Sequence, residues 1–280
     1  MPIQLALPPT FRDRLASADR ALVGLWATAG SAVNAEIVAG SGCDWVLLDA
    51  EHSPNGLESL LAQLHAMAAY PPTVVVRPPS GDTVTIKQYL DLGAQNLLIP
   101  MVDSAEQAED VVRSARYAPE GTRGVGSALA RSARWNRVDS YLARANDLVS
   151  ITVQIESAAA VSDVARILAV DGVDGIFIGP ADLSASMGLL GQQSHPAVID
   201  AVLHAISAAK AAGKPVGVNA FVPEQAERFI EAGADFVAVG ADVAILARAT
   251  EALVEQFVPR LPVHGGGSDA PNQSAPRPSY

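Results

Sequence analysis

Short runs of valine, isoleucine and leucine alternate with longer amphipathic segments along most of the chain. The longer segments, such as 56–70 and 223–233, have the apolar spacing of a helix that packs one face on a core. The short runs predict eight strands, at 21–27, 45–50, 73–77, 96–101, 150–156, 175–179, 215–220 and 236–240. Strands that alternate with helices are typical of an α/β fold with a parallel sheet, and eight of them predict a (β/α)8 barrel, the TIM barrel.

A short internal repeat supports the barrel. A glycine ends a predicted helix and an apolar strand begins three residues later, at Gly42, Gly93, Gly172 and Gly233. These glycines precede the second, fourth, sixth and eighth predicted strands, so the repeating unit is a pair of βα modules. An open doubly wound sheet would not carry this fourfold repeat. The alternative is that Gly-x-Asp is only a common helix stop.

Two segments do not follow the βα pattern. The connection 117–147 is much longer than an ordinary loop between a helix and a strand, and it carries five arginines. One hypothesis is that it reaches a neighbouring subunit, where an arginine binds a carboxylate. The segment 262–280 contains ten Gly, Pro or Ser among its nineteen residues and is predicted to be disordered, which leaves 1–261 as a single barrel domain.

Composition narrows the classes of function. The 280 residues are 49% hydrophobic and include thirty acids and nineteen bases, giving a formal charge of −11. Such a balance is typical of a globular protein and disfavours nucleic acid or an anionic membrane as a partner. The chain lacks a signal-like start and a long apolar run, so a cytoplasmic location is expected. Cys43 is the single cysteine, which excludes an internal disulfide and a thiolate metal cluster.

Carboxylates at two neighbouring strand ends predict a metal site. Active sites of such barrels lie at the carboxyl ends of the strands. Alternation along the fifth strand turns Gln154 and Glu156 into the barrel mouth, and Asp182 follows the sixth strand. Because neighbouring strands lie about 4.8 Å apart, Glu156 and Asp182 can share a cation such as Mg²⁺ or Mn²⁺. The alternative for each acid is an ion pair with arginine or a helix cap.

Other polar residues at the strand ends predict acid–base chemistry. His52 is the one histidine at a strand end, beside Asp49 and Glu51, and imidazole can act as a general base near neutral pH. Arg77 ends the third strand, where a fixed guanidinium can bind a carboxylate or stabilise an enolate. Asp91 lies in the last turn of a predicted helix, where the helix dipole disfavours an acid; it is either functional or a solvated surface acid.

Together these motifs resemble the HpcH/HpaI group of metal-dependent pyruvate aldolases. The resemblance runs from about residue 21 to 260, and 123–137 is most similar to its heptanedioate branch. Its carriers are GLW at 24–26, DAEHSPN at 49–55, VRP at 76–78, IKQ at 86–88, DLG at 91–93, RGVGSALAR at 123–131, QIE at 154–156, GPADLS at 179–184 and FVAVG at 236–240.

The resemblance implies a set of roles. Glu156 and Asp182 would bind the divalent cation (Mg²⁺, Mn²⁺ or Co²⁺) with Gln154 beside it, and the pyruvate carboxylate would lie on the backbone amides of Ala181 and Asp182. His52 would be the base, oriented by Asp91, and Arg77 would bind the keto oxygen. Asp49 and Glu51 would organise metal-bound water, and Trp26 and Asn219 would lie near the substrate. Relatives often carry leucine at the position of Asn219. The family also implies a homo-oligomer, a hexamer built as a trimer of dimers, with a swapped last helix.

The lysines help to choose between two aldolase mechanisms. An imine-forming aldolase needs a lysine inside the barrel, but Lys87 and Lys210 fall in predicted helices and Lys214 precedes the seventh strand. A metal-bound pyruvate enolate is therefore favoured. The expected reaction is reversible cleavage of 4-hydroxy-2-oxoheptanedioate to pyruvate and succinate semialdehyde. Alternatives are a 2-keto-3-deoxy sugar-acid aldolase of the same family, acting on a deoxyglucarate or deoxyrhamnonate, a citrate-lyase-like CoA-ester lyase, and a catalytically silent barrel that only binds metal and keto acid.

Overall fold

The computed structural model describes residues 3–258, so the predicted tail 262–280 and the end of the predicted domain 1–261 lie outside the described residues. Eight parallel strands close into a barrel in chain order, which confirms the predicted fold. The strands are β1 Leu22–Ala27, β2 Trp45–Asp49, β3 Thr73–Arg77, β4 Asn96–Ile99, β5 Ser150–Ile155, β6 Gly175–Ile178, β7 Val216–Asn219 and β8 Phe236–Ala241. Each lies within two residues of its predicted bounds.

The helices surround the barrel. They are α1 Phe11–Ala16, α2 Ala32–Ala39, α3 Leu57–Ala66, α4 Thr83–Asp91, α5 Ala105–Ala115, α6 Tyr141–Arg144, α7 Ala158–Ala169, α8 Pro180–Ser186, α9 Pro196–Ala211, α10 Pro223–Glu231 and α11 Asp242–Val254. Short 3-10 turns span Met67–Ala69 and Arg131–Ala133. Within residues 3–258, no helix combines the length and the hydropathy needed to cross a bilayer.

Aromatic side chains fill the barrel interior. Trp45, Phe177 and Phe236 contact one another, with ring centroids 5.6 to 6.2 Å apart. Two strand glycines make room for them: a Cβ at Gly24 would lie 2.1 Å from the Trp45 ring, and one at Gly217 would lie 2.2 Å from the Phe236 ring. These positions need glycine because a packed interior has no spare volume.

The amino-terminal segment closes the floor of the barrel. Phe11, at the start of α1, is 1% exposed, and its ring lies 5.5 Å from Trp45 and 5.0 Å from Phe236. Its backbone amide donates to the Asn96 side chain at 2.7 Å, and the hydroxyl of Thr10 caps the helix. The Phe11 side chain, which comes from the segment before β1, is therefore part of the core.

The glycine repeat has a structural meaning. All four glycines adopt a positive φ, from +89° to +107°, which a residue without a side chain tolerates. In three of the four copies an aspartate follows two residues later. Asp44, Asp174 and Asp235 each accept a hydrogen bond from the first or second amide of a preceding strand, at 2.8 to 2.9 Å. The repeat thus fastens the amino ends of the strands.

The long connection 117–147 packs against the amino end of the barrel. It contains Arg131–Ala133 and α6, and it buries its own small cluster around Ala133, Val138 and Tyr141. A bridge between Leu5 and Val138 ties it to the amino-terminal segment. It therefore covers the face opposite the carboxyl ends of the strands.

Candidate active site

A buried ion pair forms the base of the candidate site. Asp49 and Arg77 end β2 and β3 and are direct partners in the strand register. The Arg77 Nε donates to Asp49 Oδ1 at 2.8 Å, and both side chains are almost fully buried, with 1% of Asp49 and 3% of Arg77 exposed. Because each charge is compensated by the other, the guanidinium has a fixed position.

The remaining nitrogens of Arg77 divide into occupied and free donors. Nη1 lies 2.8 Å from Glu51 Oε2, an ion-pair contact without hydrogen-bond alignment, and donates to Gln154 Oε1 at 3.4 Å. Nη2 is buried and has no partner within the described chain, and the same is true of Trp26 Nε1. The guanidinium lies 4.4 Å from the Trp26 ring centroid. The site therefore holds two buried donors ready for an acceptor.

The turn after β2 presents His52. The Asp49 carboxylate accepts from the amides of Glu51 and His52 at 3.1 and 3.3 Å. The His52 side chain is 67% exposed, and its Nε2 lies 3.9 Å from Glu51 Oε2. A histidine held on a fixed turn at the rim can exchange protons with a molecule in the mouth.

Glu156 follows β5 as a buried carboxylate. Its Oε1 accepts from the Met101 amide at 2.7 Å, and its Oε2 accepts from Gln154 Nε2 at 2.5 Å. Gly179 leaves space for it, since a Cβ there would lie 2.9 Å from Oε2. Burial, helped by the negative charges of Glu51 and Asp182, raises the pKa of Glu156 to about 7.

Three carboxylates thus converge at the mouth. Asp182 lies exposed in the first turn of α8, near enough to Glu51 and Glu156 that its charge raises the pKa of both. Burial is the main cause of the raised pKa of Glu51, and Arg77 opposes it. Among residues 3–258 no group of three or more His, Cys, Asp or Glu is arranged so that it could hold a metal ion. Glu156 and Asp182 therefore fit a cation that takes its other ligands from water and substrate, because a cation would relieve their repulsion.

Asp91 does not meet His52 within the chain. It is the last residue of α4, which runs back toward the amino end of the barrel, whereas His52 lies at the carboxyl end. Its Oδ1 accepts from Arg123 Nη2 at 3.1 Å, and Arg123 is fully buried. Any contact of Asp91 with a His52 side chain must involve a second copy.

The lysines lie away from the mouth, as predicted. Lys87 is on α4, Lys210 pairs with Asp235 at 2.8 Å, and Lys214 donates to the Val170 carbonyl at 2.9 Å before β7.

Comparisons with known proteins agree with this architecture. Residues 22–249 match the family described as HpcH/HpaI aldolase/citrate lyase. The chain belongs to the HpcH/HpaI family. It is 53% identical over 247 residues to a 4-hydroxy-2-oxo-heptane-1,7-dioate aldolase of Salmonella arizonae, covering 88% of this chain and 94% of that protein. The predicted family and the prediction of an aldolase-type lyase are thereby confirmed.

Solved structures of the HpcH/HpaI family superpose closely. A family protein from Burkholderia cenocepacia J2315 has a TM-score of 0.84 at 40% identity, covering 88% of this chain and 97% of the other. An HpcH/HpaI aldolase from Desulfitobacterium hafniense has a TM-score of 0.82 at 30% identity, covering 92% and 100%.

Several residues around this HpcH/HpaI site escaped the sequence reasoning. Met101 contributes only its backbone amide, at a positive φ of 55°, and a backbone donor has no signature in the sequence. Asn55 lies inside a quoted motif but received no role; its Nδ2 donates to the Asp49 carbonyl at 2.6 Å, and its Oδ1 accepts from Gln63 at 2.6 Å. Phe221 contacts the Trp26 ring edge-on at 6.1 Å. Of these three residues only Asn55 has a signal in the sequence, because asparagine is common in turns such as the one between β2 and α3.

Proposed function

We propose that the protein is a pyruvate aldolase that reversibly cleaves 4-hydroxy-2-oxoheptanedioate to pyruvate and succinate semialdehyde. The observation that carries this proposal is the fixed Arg77 guanidinium with a free, buried Nη2 beside the carboxylates of the barrel mouth. The similarity to an aldolase of that name over most of the chain supports the substrate.

The chemistry of the donors supports a divalent cation at Glu156 and Asp182, with Mg²⁺, Mn²⁺ and Co²⁺ as candidates. When bound, such a cation supplies a Lewis acid that polarises the 2-keto group. The Gln154 Nε2 donates to the Glu156 carboxylate, and its Oε1 accepts from Arg77. Gln154 therefore links the carboxylates that would hold the cation to the guanidinium that would hold the keto oxygen. The first-turn amides of Ala181 and Asp182, which have no partner within the helix, would receive the substrate carboxylate.

Arg77 has the geometry for one oxygen. Because Nε and Nη1 are engaged, the guanidinium offers Nη2 alone, which suits a keto oxygen better than a carboxylate gripped by two bonds. In cleavage, His52 takes the proton of the 4-hydroxyl, the C3–C4 bond breaks to give the aldehyde, and its electrons form the enolate of pyruvate. Arg77 stabilises the negative charge on that enolate oxygen until C3 receives a proton.

Asp49 and Glu51 have different tasks in this proposal. The resemblance assigns both to metal-bound water. The Asp49 carboxylate, however, already accepts hydrogen bonds from Arg77 and from two amides of the turn, so Asp49 is a positioning residue. Glu51 lies between Arg77, His52 and Asp182 and remains suited to the water role.

A homo-oligomer would complete the site. Asp91 can orient His52 only if it comes from another copy, and α4 and the connection 117–147 would then lie at the contact. Exposed apolar side chains also favour assembly: Val33 and Ile37 on α2, and Ile245, Leu246 and Leu253 on α11, are 51 to 69% exposed. We propose the hexamer with a swapped α11 as the state that covers them, in a protein that works in the cytoplasm.

One residue supports a second substrate class. Asn219 ends β7, and its buried Oδ1 has no partner within the described chain. An acceptor there suits an aldehyde that carries hydroxyl groups, so a 2-keto-3-deoxy sugar-acid aldolase is the alternative.

Pyruvate release tests both proposals. The assay uses 4-hydroxy-2-oxoheptanedioate and a 2-keto-3-deoxy sugar acid, each with and without EDTA. We expect the first substrate to be preferred, EDTA to abolish activity, and His52→Ala and Arg77→Ala to lower kcat by about 100-fold or more. His204→Ala, on the outer helix α9, is the matched control and should keep full activity. The metal mechanism would be refuted if activity survived EDTA and if borohydride reduced an imine between the protein and pyruvate to a stable covalent adduct.

A further inference from the structure

A cavity lies at the end of the barrel opposite the candidate site. It has a volume of about 240 Å³ and is enclosed by the amino-terminal segment, the end of α3 and the connection 117–147. Arg14, Arg131 and Arg134 line it, and none of its lining residues is an acid. Arg131 and Arg134 have no acid among these lining residues, whereas Arg14 lies near enough to Asp44 to lower the pKa of that carboxyl.

Two of these guanidinium groups converge on one point. A Cβ at Gly93 would lie 2.7 Å from Arg131 Nη1 and 2.9 Å from Arg134 Nη1, so the two nitrogens are separated by no more than the sum of these distances. Arg131 Nη1 donates to the Leu92 carbonyl at 3.2 Å, and Arg134 Nη1 donates to the Arg131 carbonyl. These neutral acceptors use few of the ten N–H donors of the pair. No carboxylate within residues 3–258 lies in ion-pair distance of either group.

The two side-chain amides of the cavity, Gln95 and Asn96, already bond to other parts of the chain. Asn96 accepts from the Phe11 amide and donates to the Val74 carbonyl, and Gln95 donates to the Pro8 carbonyl. Most of the free N–H donors of the cavity therefore belong to the arginines.

The backbone at Arg134 has a costly conformation. Arg134, Trp135 and Asn136 are consecutive residues with positive φ, at 49°, 54° and 60°. Each left-handed residue other than glycine costs about 1–2 kcal/mol. Conformations of this kind persist where the surrounding structure or a ligand rewards them.

The electrostatics agree with the geometry. Burial, and then the neighbouring charge of Arg134, lowers the pKa of Arg131 to about 10. Burial also lowers the pKa of Arg134, and both arginines contribute to the lowered pKa of His65 after burial. A nearby anion would compensate all three groups.

We infer that this cavity binds a small doubly charged oxyanion between Arg131 and Arg134. Its volume is below the range of about 300–1,000 Å³ that is usual for larger ligands, which favours inorganic phosphate or a short dicarboxylate over a nucleotide or coenzyme. The cavity lies apart from Arg77 and from the carboxylates at the mouth of the same chain.

Titration calorimetry on the full chain tests this inference. Inorganic phosphate and succinate are titrated separately into EDTA-treated protein at constant ionic strength, which distinguishes the two sources of the oxyanion. We expect saturable binding of at least one of them, with one site per chain. Arg131→Gln and Arg134→Gln should each weaken binding by roughly 10- to 100-fold, the loss of charge-assisted hydrogen bonds.

Arg137→Gln is the matched control, because Arg137 lies on the same connection but is exposed, with its guanidinium 5.8 Å from the Trp135 ring centroid. It should bind as the native chain does. If Arg134→Gln fails to fold, Arg134→Lys keeps the charge and should bind with intermediate affinity. The inference is overturned by an absence of saturable binding, by equal losses in Arg131→Gln and Arg137→Gln, or by a changed oligomeric state in Arg131→Gln without oxyanion binding.

Discussion

Removal of Arg77 would leave a buried carboxylate without its main partner. Arg77→Met replaces the guanidinium with an apolar side chain and leaves Asp49, 1% exposed, with two turn amides as its remaining donors. Removing one partner of a buried ion pair costs about 3–5 kcal/mol. Because the two amides still compensate part of the charge, we expect the free energy of unfolding to fall by about 3 kcal/mol, the lower end of that range.

A double-mutant cycle separates the ion pair from general packing. Asp49→Asn removes the charge and nearly keeps the shape, so the Asp49→Asn/Arg77→Met double variant holds no buried charge in this pair. We expect it to be more stable than the sum of the single effects predicts, by about 2 kcal/mol or more. Urea unfolding followed by circular dichroism in EDTA at pH 7, at one protein concentration, measures all four proteins.

The control is an exposed pair of similar distance. Arg166 and Glu106 lie 2.6 Å apart, and 64% and 66% of their side chains are exposed. The same cycle with Arg166→Met and Glu106→Gln should give a coupling of about 1 kcal/mol or less. Additive effects at Asp49 and Arg77, within about 0.5 kcal/mol, would refute the reasoning that these charges share a buried contact.

Three other predictions concern single residues. In EDTA the free energy of unfolding of the native chain should fall by about 3 kcal/mol relative to that of Glu156→Gln as the pH rises from 4.5 to 8. The reason is that the Glu156 carboxyl ionises at a higher pH in the folded chain, where its pKa is about 7, than in the unfolded chain. An equal dependence on pH of the two free energies, measured by urea unfolding, would contradict this. Gly24→Ala should lower stability by about 3 kcal/mol through its contact with Trp45, while Gly40→Ala, with neighbours at 3.5 Å, should change it little in thermal unfolding. Asn55→Ala should lower kcat clearly while changing the free energy of unfolding little, because Asn55 bonds to the turn that carries His52. An unchanged kcat would argue against a role for that turn in holding His52.

Strand positions and strand ends were accessible from the sequence because they follow from local rules. Buried parallel strands read as continuous apolar runs, and the first polar residues after them lie at the mouth. Asp49 and Arg77 end consecutive strands, and the register pairs them directly. Their contact follows from this register, although the resemblance implies a role for Asp49 at metal-bound water.

Other features depend on information that a linear sequence does not carry. Asp91 sits in the last turn of α4, and the sequence does not say which copy of the chain its neighbours come from. The Met101 amide reaches Glu156 because of a backbone conformation that its side chain does not announce. The cavity at Arg131 and Arg134 is lined in part by a connection that contains three consecutive left-handed residues and whose path no periodicity describes.

The floor of the barrel has a practical consequence for anyone who engineers this protein. The family match begins at residue 22, after Phe11 and its capping residue Thr10. An expression boundary drawn at that match would delete the ring that contacts Trp45 and Phe236 and expose the inner aromatic cluster to water. Recombinant design should keep the first twenty residues and place purification tags ahead of them with a spacer.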